Sequence, residues 1–345
     1  MASVSFGSSV SMATSRTNYD PKLPALLKSV EGLDDPRISV LDVGASGGID
    51  ATFAPLDSLL VAVGFDPLVT EVERLNRENT NQNIEYVDAF VVGGENVELP
   101  DRFQQPTNTW FERSSAAAGR RIVAEDYQTK VYNRGAPLVW SERKVTLDEF
   151  SAERNMGSVD FIKIDTDGGD YAVLLGARRM LRACSVLGLA VEVPFHGSYA
   201  DGANLFPNID LFLRSEGFVL FDLDVYRYSR AELPARFDDD LFGQTAAGQV
   251  RYGDAVYFRD LADPHYSENF DFVPTPSKIL KAACLLELYG QNDTVAELLI
   301  RYRQTLEGHI NVNEWLDELT PGVERHRELL ARFKQDPRSF FPSNS

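Results

Sequence analysis

The sequence is short of cysteine, histidine, positive charge and long apolar runs, and each shortage removes a class of function. Two cysteines in 345 residues, Cys184 and Cys284, lie far apart and match neither a zinc nor a thioredoxin spacing. Two buried thiols in a reducing compartment follow from that, and with them a cytoplasmic location. The four histidines are scattered without a His-x-x-x-His pair, so no metal site is expected from them. Lys and Arg number 34 against 52 Asp and Glu, a formal net charge of −18. Nucleic acid and anionic membrane surfaces need clustered cations, so neither is an expected partner. Acidity by itself implies no more than solubility. No apolar run approaches the roughly 20 residues of a membrane helix. The first 17 residues are rich in Ser and Ala but lack a basic start followed by an apolar core. They read as a flexible tail rather than a signal peptide, with a weak targeting role left open.

What is present is ordinary globular material, 43% hydrophobic and 25% charged, enough for one large α/β domain plus an addition. Short apolar runs at 38–43, 59–65, 84–92, 159–164 and 186–193 read as buried strands, with helical stretches between them. Within the helix expected at 171–182, Gly176 is a close-packing point. Thr146 with Glu149 makes a capping box at the start of another helix. Segments at 218–224 and 254–258 read as a terminal hairpin. This order predicts a Rossmann-like α/β fold: a mostly parallel seven-stranded sheet, helices on both faces, and an antiparallel strand near one edge. The expected division is a tail over 1–20, a sheet domain over 21–263 with an inserted lid at about 93–141, and a helical C-terminal extension over 275–335. In that extension Val295, Leu298, Leu299, Tyr302 and Leu306 form an apolar stripe, which packs on the sheet domain or on a second copy.

The chain is organised around the end of the first strand, where Asp42, Gly44, Ala45, Ser46 and Gly48 lie in a stretch of little side-chain bulk. Such a stretch either closes an ordinary turn or brings the backbone close to a ligand. In an open parallel sheet the ligand lies beyond the carboxyl ends of the strands, and here those ends carry Asp42, Asp66, Asp88, Asp165 with Asp167, and Glu192. Asp66, followed by Pro67 and 18 positions after Gly48, is placed to accept hydrogen bonds from both hydroxyls of a ribose. Positions 44, 46 and 49 are Gly, Ser and Ile, not the Gly-x-Gly-x-x-Gly of a dinucleotide site. A cofactor without phosphate is favoured over one with a pyrophosphate. Glu71 and Glu73 read as a solvated helix face.

The spacing Asp42-x-Gly44-x-Ser46-x-Gly48 resembles the Asp-x-Gly-x-Gly-x-Gly loop of class I S-adenosylmethionine-dependent methyltransferases, with Ser46 at the middle glycine. The run Asp-Phe-Ile-Lys-Ile-Asp-Thr-Asp-Gly-Gly-Asp at 160–170, with Val-Leu-Leu-Gly-Ala at 173–177 and Thr-Leu-Asp-Glu at 146–149, resembles the FkbM-type methyltransferases. Thr166, Asp167 and Gly169 depart from that family's usual Val, Glu and Ala, and an acidic loop at 238–240 is an addition. The resemblance implies transfer of the methyl group of S-adenosylmethionine, usually to a hydroxyl on a sugar or secondary metabolite. By it Asp42, Gly44 and Ser46 line the methionine side of the cofactor, Asp66 holds the ribose, and Asp88 and Ala89 flank the adenine. A NAD-dependent oxidoreductase on the same fold, or a non-catalytic metabolite-binding module, is the alternative.

The partner expected is a small-molecule or glycan hydroxyl, which must lose its proton as the methyl arrives. His196 is the sheet-domain histidine nearest a strand end. The other route is magnesium held by Asp165, Asp167 and Glu192. Lys163, two positions before Asp165 on the same face, is placed to pair with an acid. The pair Trp110-Phe111 and Ser114-Ser115 belong to the expected lid.

Overall fold

The computed structural model describes residues 17–94, 141–166, 168–196, 202–228, 249–319 and 323–340. The expected lid, Asp167 and the acidic loop at 238–240 lie outside them. The described chain divides into two compact units, residues 37–273 and residues 18–36 with 274–345.

The first unit is built on a sheet of seven strands, β1 (Ile38–Val43), β2 (Leu60–Asp66), β3 (Ile84–Asp88), β6 (Phe161–Ile164), β7 (Gly188–Pro194), β8 (Val219–Tyr228) and β9 (Gln249–Phe258). They lie in the order β3-β2-β1-β6-β7-β9-β8. The first five run parallel, and β9 is antiparallel to both neighbours. The expected fold class is the observed one. Buried β-branched and aromatic residues hold the central strands, with all four residues of β6 buried. Two short strands, β4 (Phe90–Val91) and β5 (Lys144–Val145), form a separate parallel pair. The single strand expected over 84–92 is therefore split: Ala89 donates back to the Asp66 carbonyl at 3.2 Å, and the chain then leaves the main sheet.

Helices α2 (Val69–Glu78), α3 (Leu147–Glu153), α4 (Asp170–Leu175), α5 (Arg178–Ala183) and α6 (Phe206–Ser215) connect the strands, and α7 (Tyr266–Asn269) follows β9. The capping box of α3 is formed as expected, with the Thr146 hydroxyl and the Glu149 carboxylate each accepting from the other residue's backbone. The helix expected near residue 49 is a 3-10 segment, Ala51–Leu59, which contains Pro55 and bends at Asp57. The helix expected over 171–182 is two helices broken at Gly176. A Cβ there would lie 2.4 Å from the Val92 carbonyl oxygen, so the chain passes this point only as glycine.

In the second unit, helix α8 (Pro276–Leu288) is buried at every position from Ile279 to Leu288. It is followed by α9 (Asn292–Arg301), α10 (Arg303–Leu306), α11 (Val312–Leu319) and α12 (Val323–Gln335). The first helix of the chain, α1 (Leu23–Leu27), belongs to this unit, not to the sheet domain that the sequence placed it in. The reason is chemical: the buried Glu287 carboxylate accepts from the backbone N–H groups of Lys22 and Leu23, each at 2.8 Å. It supplies from α8 the cap that the start of α1 lacks in its own sequence.

Candidate functional site

The strand order reverses between β1 and β6, and the parallel edge of the sheet opens there. Gly44 leaves β1 with φ +89° and lies so close to β6 that a Cβ would sit 1.8 Å from the Asp165 carbonyl oxygen. Only glycine allows both the turn and the approach. Gly44 and Ala45 donate to the Phe65 carbonyl at 2.9 Å, which fixes the start of the loop against β2.

The loop's next N–H groups are taken up by side chains. Gly47 donates to Glu71 Oε1 at 3.1 Å, Ile49 to the Tyr86 hydroxyl at 3.2 Å, and Asp50 to Asp42 Oδ2 at 2.8 Å. Glu71 is buried and paired with Arg74 at 2.5 Å. The expectation of a solvated Glu71 is thus corrected, while Glu73 is exposed. The sequence could not show that Glu71 reaches a loop 24 residues away. Three N–H groups that would cradle a pyrophosphate are already satisfied.

An ion triad joins β1 and the end of β6, with Lys163 and Asp42 buried and Asp165 partly exposed. Lys163 Nζ stands 3.3 Å from Asp42 Oδ1 and 3.4 Å from Asp165 Oδ2, as its position on the strand face led one to expect. Burial pushes the Asp42 carboxyl up, opposed by the Lys163 ammonium. The same two carboxylates hold the Lys163 ammonium charged despite its burial. Asp66, buried at the end of β2, accepts from the Leu68 N–H at 2.8 Å across Pro67 and so fixes the turn that leads into α2. Asp88 is half-buried opposite Asp66, and the Ser141 hydroxyl donates to its carbonyl at 2.9 Å. Ala89 is buried, Ser46 is half-buried on the loop, and Gly48 has φ +117°.

Farther along the edge, Glu192 is half-buried on β7, one strand from β6. His196 lies past the end of β7 with Nε2 2.8 Å from the Val250 carbonyl. The same Nε2 stands 3.1 Å from the Gln249 side-chain amide. Asp170, fully buried, accepts from the N–H and hydroxyl of Thr166 and from the Asn204 amide. It fixes the turn after β6, and burial pushes its carboxyl up. Among the described residues no three His, Cys, Asp or Glu form a group that could hold a metal ion.

Residues 141–220, which carry β6, the turn after it and β7, match the family model of the methyltransferase FkbM domain. Over that segment the chain is similar to that family. The protein is an S-adenosylmethionine-dependent methyltransferase, and S-adenosylmethionine is its cofactor. No curated protein matches the sequence. Solved structures similar to this methyltransferase include an S-adenosylmethionine-dependent methyltransferase from Aquifex aeolicus, at 12% identity and a TM-score of 0.29, covering 69% of this chain and 90% of the other. A precorrin-6y C5,15-methyltransferase from Geobacter metallireducens matches at 9% identity and a TM-score of 0.31, covering 71% and 92%. The 1,6-didemethyltoxoflavin-N1-methyltransferase of Burkholderia thailandensis, solved with S-adenosylhomocysteine, matches at 11% identity and a TM-score of 0.27, covering 69% and 76%.

The donor set along this edge of the sheet suits this cofactor. Its strand ends offer carboxylates, which accept from ribose hydroxyls and favour a sulfonium charge, and the loop's own bonds leave three fewer N–H groups for a phosphate.

Proposed function

We propose that this methyltransferase is O-directed and acts on a hydroxyl of a sugar or secondary metabolite. The observation that carries the cofactor half of this reading is the engagement of the Gly47, Ile49 and Asp50 N–H groups by Glu71, Tyr86 and Asp42. It disfavours the oxidoreductase alternative, whose dinucleotide needs those donors. Asp42, Gly44, Ala45, Ser46 and Gly48 form the methionine side of the cofactor cleft. Asp66 with Pro67 holds the ribose, and Asp88 and Ala89 flank the adenine. When bound, S-adenosylmethionine supplies an electrophilic methyl group. The chain's part is to orient the acceptor oxygen and to remove its proton.

Asp165, Glu192 and His196 border the acceptor in this reading. Asp165 stands nearest the cleft, its carboxylate shared with Lys163. Glu192 is one strand further, and His196 lies past the end of that strand. What favours a hydroxyl acceptor is this row of groups able to accept a proton or a hydrogen bond.

Thermal-shift measurements with S-adenosylhomocysteine, NAD and no ligand test the cofactor half. Stabilisation by S-adenosylhomocysteine alone is expected, and stabilisation by NAD alone would return the oxidoreductase reading. Methyl glycosides incubated with S-adenosylmethionine test the acceptor half, with S-adenosylhomocysteine release as the readout.

A further inference from the structure

We propose that the proton leaving the acceptor hydroxyl passes to the Tyr226 hydroxyl and on to the carboxylate of Asp254. The inference rests on the O-directed reading and adds two residues that neither the glycine turn nor the parallel strand ends contain.

The register places them. Ile164 pairs with Val191 and Val191 with Ala255, so the next position outward aligns Asp165, Glu192 and Asp254 across β6, β7 and β9. Asp254 in turn faces Asp224 on β8. Residues directly opposite on neighbouring strands share a face, and so do residues two apart on one strand. Asp254 therefore stands on the same face of the sheet as Lys163 and Asp42, two strands from the cofactor cleft. One step further outward the same face carries Pro194, Tyr252 and Tyr226. The two tyrosine rings stack at 4.7 Å and 22°, which fixes the direction of the Tyr226 side chain. From there its hydroxyl donates to Asp254 Oδ2 at 2.8 Å. Tyr226 is half-buried, while Asp254 is only 5% exposed. The outer group of the pair meets the acceptor, and the inner one stores the proton.

The step balances. The acceptor oxygen uses the electron pair of its O–H bond while forming its bond to the methyl carbon. The carbon–sulfur bond breaks with its pair left on sulfur. The acceptor proton goes to the Tyr226 oxygen as the Tyr226 proton goes to Asp254. One positive charge on sulfur and one negative charge on Asp254 disappear together, and Tyr226 ends as it began. A tyrosine hydroxyl can receive one hydrogen bond while donating another, which this transfer requires.

The environment suits the storage site. Burial first, then repulsion from Asp165 and Asp224, pushes the Asp254 carboxyl up to about 7, against the pull of the Tyr226 hydrogen bond and of Lys163. A base is most effective when its pKa lies near the working pH. The charged and titratable groups facing Asp254 are Glu192 from β7, Asp224 and Tyr226 from β8, Tyr252 on β9, and Asp165 with Lys163 from β6.

Two readouts on the full chain test the pair. The Asp254 carboxyl carbon, followed by nuclear magnetic resonance without acceptor, is expected to titrate near 7. In Tyr226→Phe, which removes the bond favouring the charged carboxylate, that midpoint is expected to move to higher pH. The rate of S-adenosylhomocysteine release with methyl glycosides is expected to rise with pH along the same curve in the wild type. In Tyr226→Phe the rate falls by about 100-fold or more because the relay is broken, and the rising limb of what remains shifts upward with the carboxyl. In Asp254→Asn the rate falls by about 100-fold or more and the limb disappears, with S-adenosylhomocysteine still bound as in the wild type. If Asp254→Asn does not fold, the Tyr226→Phe shift decides alone. A limb that survives in Asp254→Asn or stays in place in Tyr226→Phe, or one that vanishes in His196→Ala instead, overturns the inference and leaves the hydroxyl reading intact. A wild type that binds S-adenosylhomocysteine yet methylates no glycoside fails the hydroxyl reading, and this inference with it.

Discussion

Single residues on the parallel edge carry distinct loads, and substitutions separate them. Asp66→Ala is expected to weaken S-adenosylhomocysteine binding by about 1.5–3 kcal/mol per lost charge-assisted hydrogen bond. Unchanged affinity by calorimetry in the folded variant would remove Asp66 from the ribose. Some stability goes with it, because Asp66 also holds the turn before α2 through the Leu68 N–H. Gly44→Ala is harsher: its methyl would meet the Asp165 carbonyl oxygen at a φ of +89°, so β1 and β6 must part. A loss of more than about 3 kcal/mol in urea unfolding is expected, and a loss below about 1 kcal/mol would show that the loop can yield. Asp254 behaves in the opposite sense. Its folded-state pKa of about 7 lies above the ordinary 3.8, so the folded protein binds the extra proton and stability falls as pH rises between those values. Asp254→Asn keeps an acceptor for Tyr226 and removes the buried charge. It should match the wild type near pH 4 and exceed it by about 2–4 kcal/mol near pH 8. A variant less stable than the wild type at both ends of that range would show that the charge is compensated in the fold.

At the scale of elements, what is local was legible and what depends on a distant partner was not. The alternation of buried strands with helices, the capping box of Thr146 and Glu149, and the pairing of Lys163 with an acid follow from neighbours in sequence. Gly176 was legible as a packing point, but the break it makes depends on the Val92 carbonyl, more than 80 residues earlier. Glu71 was misplaced because it flanks Val72 and Leu75 on α2, while its partner, the Gly47 N–H, lies on another element. Asp254 was invisible because a lone acid in a strand acquires meaning only from the residues opposite it. Helix α1 shows the same limit, since its cap comes from Glu287 on α8. Glu287→Ala leaves two N–H groups of α1 without their acceptor and is expected to destabilise the unit formed by 18–36 and 274–345 by about 2–4 kcal/mol. Amide exchange at residues 22–27 should rise with that loss. Unaltered protection there would assign the order of α1 to the packing of Leu23 and Leu27 alone.

For the molecule as a whole, the relevant quantity is the field of a chain carrying a formal −18. Part of that charge is concentrated on the parallel edge of the sheet, where Asp42 and Asp165 share one lysine and Asp66, Asp88, Glu192, Asp224 and Asp254 stand on the same or neighbouring strands. S-adenosylmethionine carries one positive charge more than S-adenosylhomocysteine. An acidic site therefore favours the cofactor over its product, and the preference must weaken as salt screens the field. The Debye length falls from about 30 Å at 0.01 M to about 3 Å at 1 M salt. More distant acids then drop out and only those in contact with the ligand continue to act. Calorimetric titration of both ligands at low and high sodium chloride should show S-adenosylmethionine losing about three- to tenfold more affinity than S-adenosylhomocysteine. A difference unchanged by salt would place the discrimination in short-range contacts such as those of Asp42 and Asp165. A difference of opposite sign would mean that Lys163, not the surrounding carboxylates, dominates the potential where the sulfonium sits.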